Sequence, residues 1–111
     1  MKEAVLIVLT NCPDVDVADR IAHALVEQRL AACVNRLAAV QSLYRWQGAL
    51  ERAEEVPLLI KTTVTRYAEV EAAIRGLHPY EVPEILAWPV TVGFPSYLDW
   101  VGDETRPTLV A

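Results

Sequence analysis

Between Cys33 and Thr65 the chain shows no helical period at all, and the only break in that stretch is Gln47-Gly48. Leu43, Tyr44, Arg45 and Trp46 lead into the break, and Val56, Leu58, Leu59, Ile60, Lys61 and Thr62 lead away from it. Two apolar-rich runs around a short turn signal predict a β-hairpin with long arms. A strand is usually about five or six residues long, so these arms overrun what one small sheet can cover. Their tips are expected to pair with, or lie against, another chain. Pro57 has no N–H to give to a ladder, which predicts a sheet edge or a bulge at that point.

The remaining segments fall into place around this hairpin. Ala4 to Thr10 is a continuous apolar run ended by the turn residues Asn11, Pro13 and Asp14, the pattern of a buried strand. A helix follows over about Val17 to Leu30, with Ala18, Ile21, Ala22 and Leu25 on one stripe. Asp16 is its expected cap and Arg29 sits in its last turn. A second helix carries Tyr67, Val70, Ile74 and Leu77 on one face, with Thr65 as candidate cap and Gly76 and Pro79 as stops. Ile85 to Val92 reads as a further strand, kinked or at an edge because of Pro89. Ser96 and Asp99 resemble a capping box for a short helix holding Tyr97, Leu98 and Trp100. The order is β-α-β-β-α-β plus a terminal helix: an α+β, ferredoxin-like sandwich with both main helices on one sheet face. A single domain over residues 1–103 is expected, with a flexible tail over 104–111.

That plan leaves the second sheet face bare. Apolar residues make up 53% of the chain and charged ones 23%, a rich ratio for 111 residues, so apolar surface buried between subunits is a second reason to expect an oligomer. Ten basic residues stand against fifteen acidic ones, a net charge of −5. Nucleic acid is therefore not an expected partner, since counterion release needs a basic patch. The apolar run Ala4 to Leu9 is too short for a membrane span or a signal core, and a cytoplasmic protein is expected. Cys12 and Cys33 then read as thiols, not as a disulfide, and lack the spacing of a zinc knuckle. No phosphate-binding glycine loop, serine elbow or HExxH helix is present.

The run LHPYEVPEI, residues 77–85, concentrates what chemistry remains. His78 ends the second helix, where a cation complements the last carbonyls and the dipole, so capping alone explains it. Read functionally, Pro79 and Pro83 hold Tyr80, Glu81 and Glu84 in a stiff loop beside the imidazole. One nitrogen with carboxylate oxygens suits a divalent transition metal, copper(II) above all. Cys12, Asp14 or a neighbouring subunit would supply further ligands. Glu81 and Glu84 are also candidates for acid/base work or for holding the cationic end of a small ligand. Tyr44, Trp46, Tyr80 and Trp100 form either a ligand wall or core and interface filler. Lys61 is either an edge lysine with its head in water or a partner for an anion or carboxylate. His23 reads as a partly exposed helix residue.

Five runs in order, ALVEQRLAACVN (24–35), SLYRWQGALE (42–51), IKTT (60–63), LHPYEVPEI (77–85) and YLDW (97–100), closely resemble the CutA divalent-cation tolerance family. The resemblance covers about residues 4 to 101. It implies a ferredoxin-like fold assembled as a tight homotrimer, with hairpins paired between subunits and an architecture similar to PII-type signalling proteins. It also implies tolerance of copper and other divalent cations, with His78 matching the family's histidine before Pro-Tyr. Some members carry a second histidine and a cysteine where this chain has Leu77 and Thr10. Two expectations follow. One is a cytoplasmic homotrimer that binds divalent metal, copper foremost, through His78, Cys12 and Glu81 without turnover and without an organic cofactor. The other is a PII-like sensor or scaffold whose inter-subunit cleft, lined by Trp46, Lys61, Tyr80 and Glu84, takes a small polar ligand or partner. Beside these two stands an enzyme using Glu81 or Glu84 as acid/base.

Overall fold

Where the sequence has long β-branched and aromatic runs the backbone is extended, and where the apolar spacing turns to three and four it coils. The computed structural model describes residues 3–107. It contains β1 (Val5–Cys12), α1 (Val15–Glu27), β2 (Cys33–Arg36), β3 (Val40–Trp46), β4 (Ala49–Thr63), a 3-10 turn (Val64–Arg66), α2 (Tyr67–Leu77), β5 (Ile85–Pro89) and α3 (Pro95–Glu104). The strands form one antiparallel sheet in the order β2-β4-β1-β5, with β3 continuing along β4 beyond β2.

The hairpin is present, and its turn is chemically specific. Gln47 and Gly48 both take positive φ, 50° and 81°, the handedness whose twist matches the flanking strands and which glycine adopts without cost. Its second arm, β4, is fifteen residues long, about 50 Å at the rise of an extended strand. The expected single first arm is instead two strands, β2 and β3, interrupted at residues 37–39. Pro57 accounts for the gap: it lies buried inside β4, paired with Asn11 of β1, so of the expected edge or bulge it marks the bulge, where residues 37–39 face only Val56 and Pro57. Its carbonyl accepts from the Leu37 amide, so its imide nitrogen faces the same side, and the outer ladder has no donor there.

Side chains alternate across the sheet. Val8 and Cys12 of β1 and Val56, Leu58 and Ile60 of β4 face the helices and pack on Val17, Ala18, Ile21 and Leu25 of α1 and Val70 and Ile74 of α2. α1 begins two residues earlier than expected and is capped by Asp14, not Asp16; the Asp14 carboxylate accepts from the Val17 amide at 2.9 Å. It ends at Glu27 with Gln28 as its C-cap, and Arg29 just beyond takes the left-handed position (φ 59°) while the Leu30 and Arg29 amides reach back to Leu25 and Val26. An arginine tolerates that conformation here because its guanidinium donates to the carbonyls of Asp103 and Arg106, at 2.9 and 3.2 Å, closing the end of α3.

Three other boundaries differ from expectation. Thr65 does not cap α2: the 3-10 turn precedes that helix, and the Thr65 amide is met by the Glu3 carboxylate. The Ser96 and Asp99 box does not start α3, which has Phe94 at its cap and Pro95 in its first turn, where a missing N–H is harmless. β5 stops at Pro89. α3 runs to Glu104, and Thr105 beyond it is buried with its hydroxyl donating to the Val101 carbonyl; residues 108–111 lie outside the described part. α3 covers only part of the second sheet face. Elsewhere on that face Leu86 and Trp88 of β5 stand 54% and 44% exposed, across the register from Leu9 and Ile7.

Candidate functional site

Pro79 drives the residue before it out of the helical region, so α2 ends at Leu77 and His78 turns to extended backbone (ψ 131°). The buried imidazole then faces back to the end of β1. Its Nε2 lies 2.6 Å from the Asn11 carbonyl, and its Nδ1 is 3.2 Å from the Tyr80 amide. A carbonyl only accepts and an amide only donates, so Nε2 carries the hydrogen and Nδ1 the lone pair. Neither nitrogen is left over. The ring also meets Tyr80 edge-on, with centroids 4.6 Å apart. Four residues on, the Thr10 hydroxyl donates to the Glu84 carbonyl at 2.8 Å. Residue 10, where some members of the resembled family have a cysteine, thus serves to pin the Tyr80–Glu84 loop to β1.

The loop closes one side of a cavity of about 650 Å³, within the roughly 300–1,000 Å³ typical of small-ligand sites. The opposite wall comes from the hairpin. Ser42, Tyr44 and Trp46 alternate along β3 and so share a face, and the residues across from Ser42 and Trp46 are Ala53 and Ala49, too small to fill the space. Glu55 of β4, 7% exposed, adds a buried carboxylate to the wall.

Of the residues expected to line a cleft between subunits, Trp46, Tyr80 and Glu84 border this cavity within one protomer, and Glu81, expected as a metal ligand, borders it too. Lys61 stands elsewhere, donating its ammonium to Asn35 Oδ1 on β2. Trp100 packs against Tyr97 on α3. His23 is exposed and pairs with Glu27. Tyr44 belongs to the aromatic wall, and Glu55 is the residue the sequence reading did not single out. Its signal is the pair Glu54-Glu55 ahead of VPLLI: neighbouring strand residues point to opposite faces, so one of two consecutive glutamates must turn inward.

These donors do not fit a divalent transition metal. Both His78 nitrogens are engaged by the backbone, and among the described residues no three of His, Cys, Asp and Glu are placed to share an ion. Cys12, the other expected ligand, is fully buried in the core cluster. Burial, helped by Asp14 and Glu55, pushes its thiol up from 9.0 to about 11, whereas metal binding needs the thiolate. An unfolded thiol releases its proton near pH 9 while the folded one keeps it to about 11, so stability falls as pH rises through that window. Tyr80, raised to about 12 by burial first and then Glu55, acts with the same sign above pH 10. Chemical denaturation at about pH 8 and about pH 10.5 should show this loss, and Cys12→Ala should remove the part that begins near pH 9. Equal losses in wild type and variant would show that the thiol is not the cause.

The chain is similar over residues 6–104 to the family model described as CutA1 divalent ion tolerance protein. It is 47% identical over 99 residues to the divalent-cation tolerance protein CutA of Thermus thermophilus, covering 89% of this chain and 96% of that one. A CutA homolog of Xenopus laevis is 47% identical over 93 residues, and there the chain spans 62% of the longer relative. The crystal structure of CutA1 from Shewanella sp. SIB1 superposes with a TM-score of 0.90 at 46% identity, over 95% of this chain and 98% of that one.

Proposed function

Because the chain belongs to the CutA1 divalent ion tolerance family, we propose that it serves tolerance as a non-catalytic, homotrimeric binding protein with a ferredoxin-like sheet, and that its working site is the cleft between the Tyr80–Glu84 loop and the β3–β4 hairpin. The observation that carries this reading is the way the loop is built. His78 and Thr10 spend their polar groups on holding it beside a wall of Tyr44 and Trp46, leaving a cavity of small-ligand size. A pre-formed, partly aromatic cavity with a few polar groups is what a small-molecule site requires. Copper would have to displace two backbone hydrogen bonds to reach His78, so a small polar ligand fits the cleft better than a metal ion. The sheet order β2-β4-β1-β5 accords with the ferredoxin-like plan, and the uncovered apolar face supports the trimer. Free Cys12 and Cys33 suit a reducing compartment, in keeping with a cytoplasmic location.

Saturation-transfer NMR on the assembled protein with mixtures of small polar metabolites tests the reading. At least one compound should bind and should lose about tenfold or more in affinity on Trp46→Ala, roughly the value of one lost aromatic contact. A panel without any binder sensitive to Trp46→Ala or Tyr80→Ala would remove the cleft as the working site.

A further inference from the structure

The cleft has a one-sided charge. Glu55, Glu81 and Glu84 all line it, and no lysine, arginine or histidine does. None of the ion pairs among the described residues involves these three carboxylates. Two of them have neutral partners: the Tyr80 phenol is hydrogen-bonded to Glu55, and the Asn11 amide lies 3.4 Å from Glu84. Glu55 is the telling member. It is 93% removed from solvent, and a carboxylate in that setting without a counter-charge is costly. Its side chain borders the cavity, so a cation bound there can supply the missing counter-charge.

What kind of cation fits follows from the rest of the wall. A bare metal ion needs several oxygen donors at about 2.0–2.6 Å from one point, and no three carboxylates or other metal-binding side chains among the described residues converge in that way. The space is too large for a bare ion and is flanked by Tyr44, Trp46 and Tyr80. Aromatic faces attract a diffuse positive charge within about 6 Å, more so when it is desolvated, and quaternary ammonium groups are recognised by such walls. The carboxylates give the charge and the rings give the shell. We propose that the cleft binds a small organic ammonium compound, its cationic head held between the Tyr44, Trp46 and Tyr80 rings and neutralising Glu55. This rests on the cleft being an open ligand site in the assembled protein.

The test uses choline and its neutral isostere 3,3-dimethylbutan-1-ol, titrated into the assembled protein by calorimetry and followed by NMR of the tryptophan indoles. Choline should bind once per subunit, at least about tenfold tighter than the alcohol, which corresponds to about 1.4 kcal/mol for one charge on an aromatic site. Glu55→Gln should abolish that preference while leaving the alcohol's affinity unchanged. If Glu55→Gln fails to assemble, the double variant Glu81→Gln/Glu84→Gln, on the exposed rim, should reduce the preference in the same direction. Equal binding of choline and the alcohol would overturn the cationic ligand while leaving the cleft intact. No binding of either probe, together with no Trp46-sensitive metabolite, would remove the cleft and the cation with it.

Discussion

His78→Ala is expected to leave copper(II) binding unchanged and to lower stability by about 2–4 kcal/mol, the cost of stranding two part-buried backbone groups and opening a small cavity. The histidine is 6% exposed and bridges the Asn11 carbonyl to the Tyr80 amide. Without it, both groups lose their partner where water does not reach easily, and the Tyr80 ring loses its edge-on neighbour. The cleft should therefore loosen on the loop side, and any ligand that depends on Tyr80 should weaken along with stability. Copper titration of metal-free wild type and variant against a competing chelator, paired with chemical denaturation, reads both quantities. Copper attaches to many exposed imidazoles, and exposed His23 is present in both proteins, so only tight binding counts. Loss of one chelator-resistant ion per subunit in the variant would make His78 a ligand after all and would reverse the assignment of its two nitrogens.

The sequence carried the architecture further than it carried the site. Element order, the hairpin and its Gln47-Gly48 turn follow from periods of two and of three to four and from a glycine that accepts positive φ, all of them local properties. The boundaries that differ were decided by contacts between distant segments. Asp14 rather than Asp16 caps α1 because the chain leaves β1 only at Cys12, and Pro57 sits inside the sheet because its missing N–H coincides with the break between β2 and β3. At the site, the run 77–85 was legible as a stiff loop holding Tyr80, Glu81 and Glu84. What it faces was not. Glu55 lies 25 residues upstream on another strand, and the imidazole's two partners are backbone groups, one of them 67 residues away. A side chain's spare hydrogen-bonding capacity is fixed by tertiary packing, so a histidine suited by type to bind metal was in place to build the loop instead.

Leu86→Asp is expected to turn the proposed trimer into monomers that keep their secondary structure. Leu86 sits on β5 with Leu9 directly across the register, and Leu9 in turn faces Leu59 on β4. One row further along, Trp88 opposes Ile7. The row is contiguous and apolar, and in a lone protomer Leu86 is 54% and Trp88 44% exposed, more open apolar surface than a monomer of this size usually carries. The hairpin adds to it, with Leu43 and Leu50 exposed at 59% and 66%. The Cα radius of gyration of 14.9 Å exceeds the roughly 13 Å expected of a compact chain of this length, because the long hairpin extends away from the core. A carboxylate at position 86 costs little in the protomer, where the side chain is half in water. In an assembly it would lie at an apolar interface without a partner, at several kcal/mol for each of three symmetry-related copies. Light scattering at micromolar concentration should then give three times the chain mass for wild type and one times for Leu86→Asp, with unchanged far-ultraviolet circular dichroism. A monomeric wild type would remove the trimer, and a trimeric Leu86→Asp would move its interface off this face of the sheet.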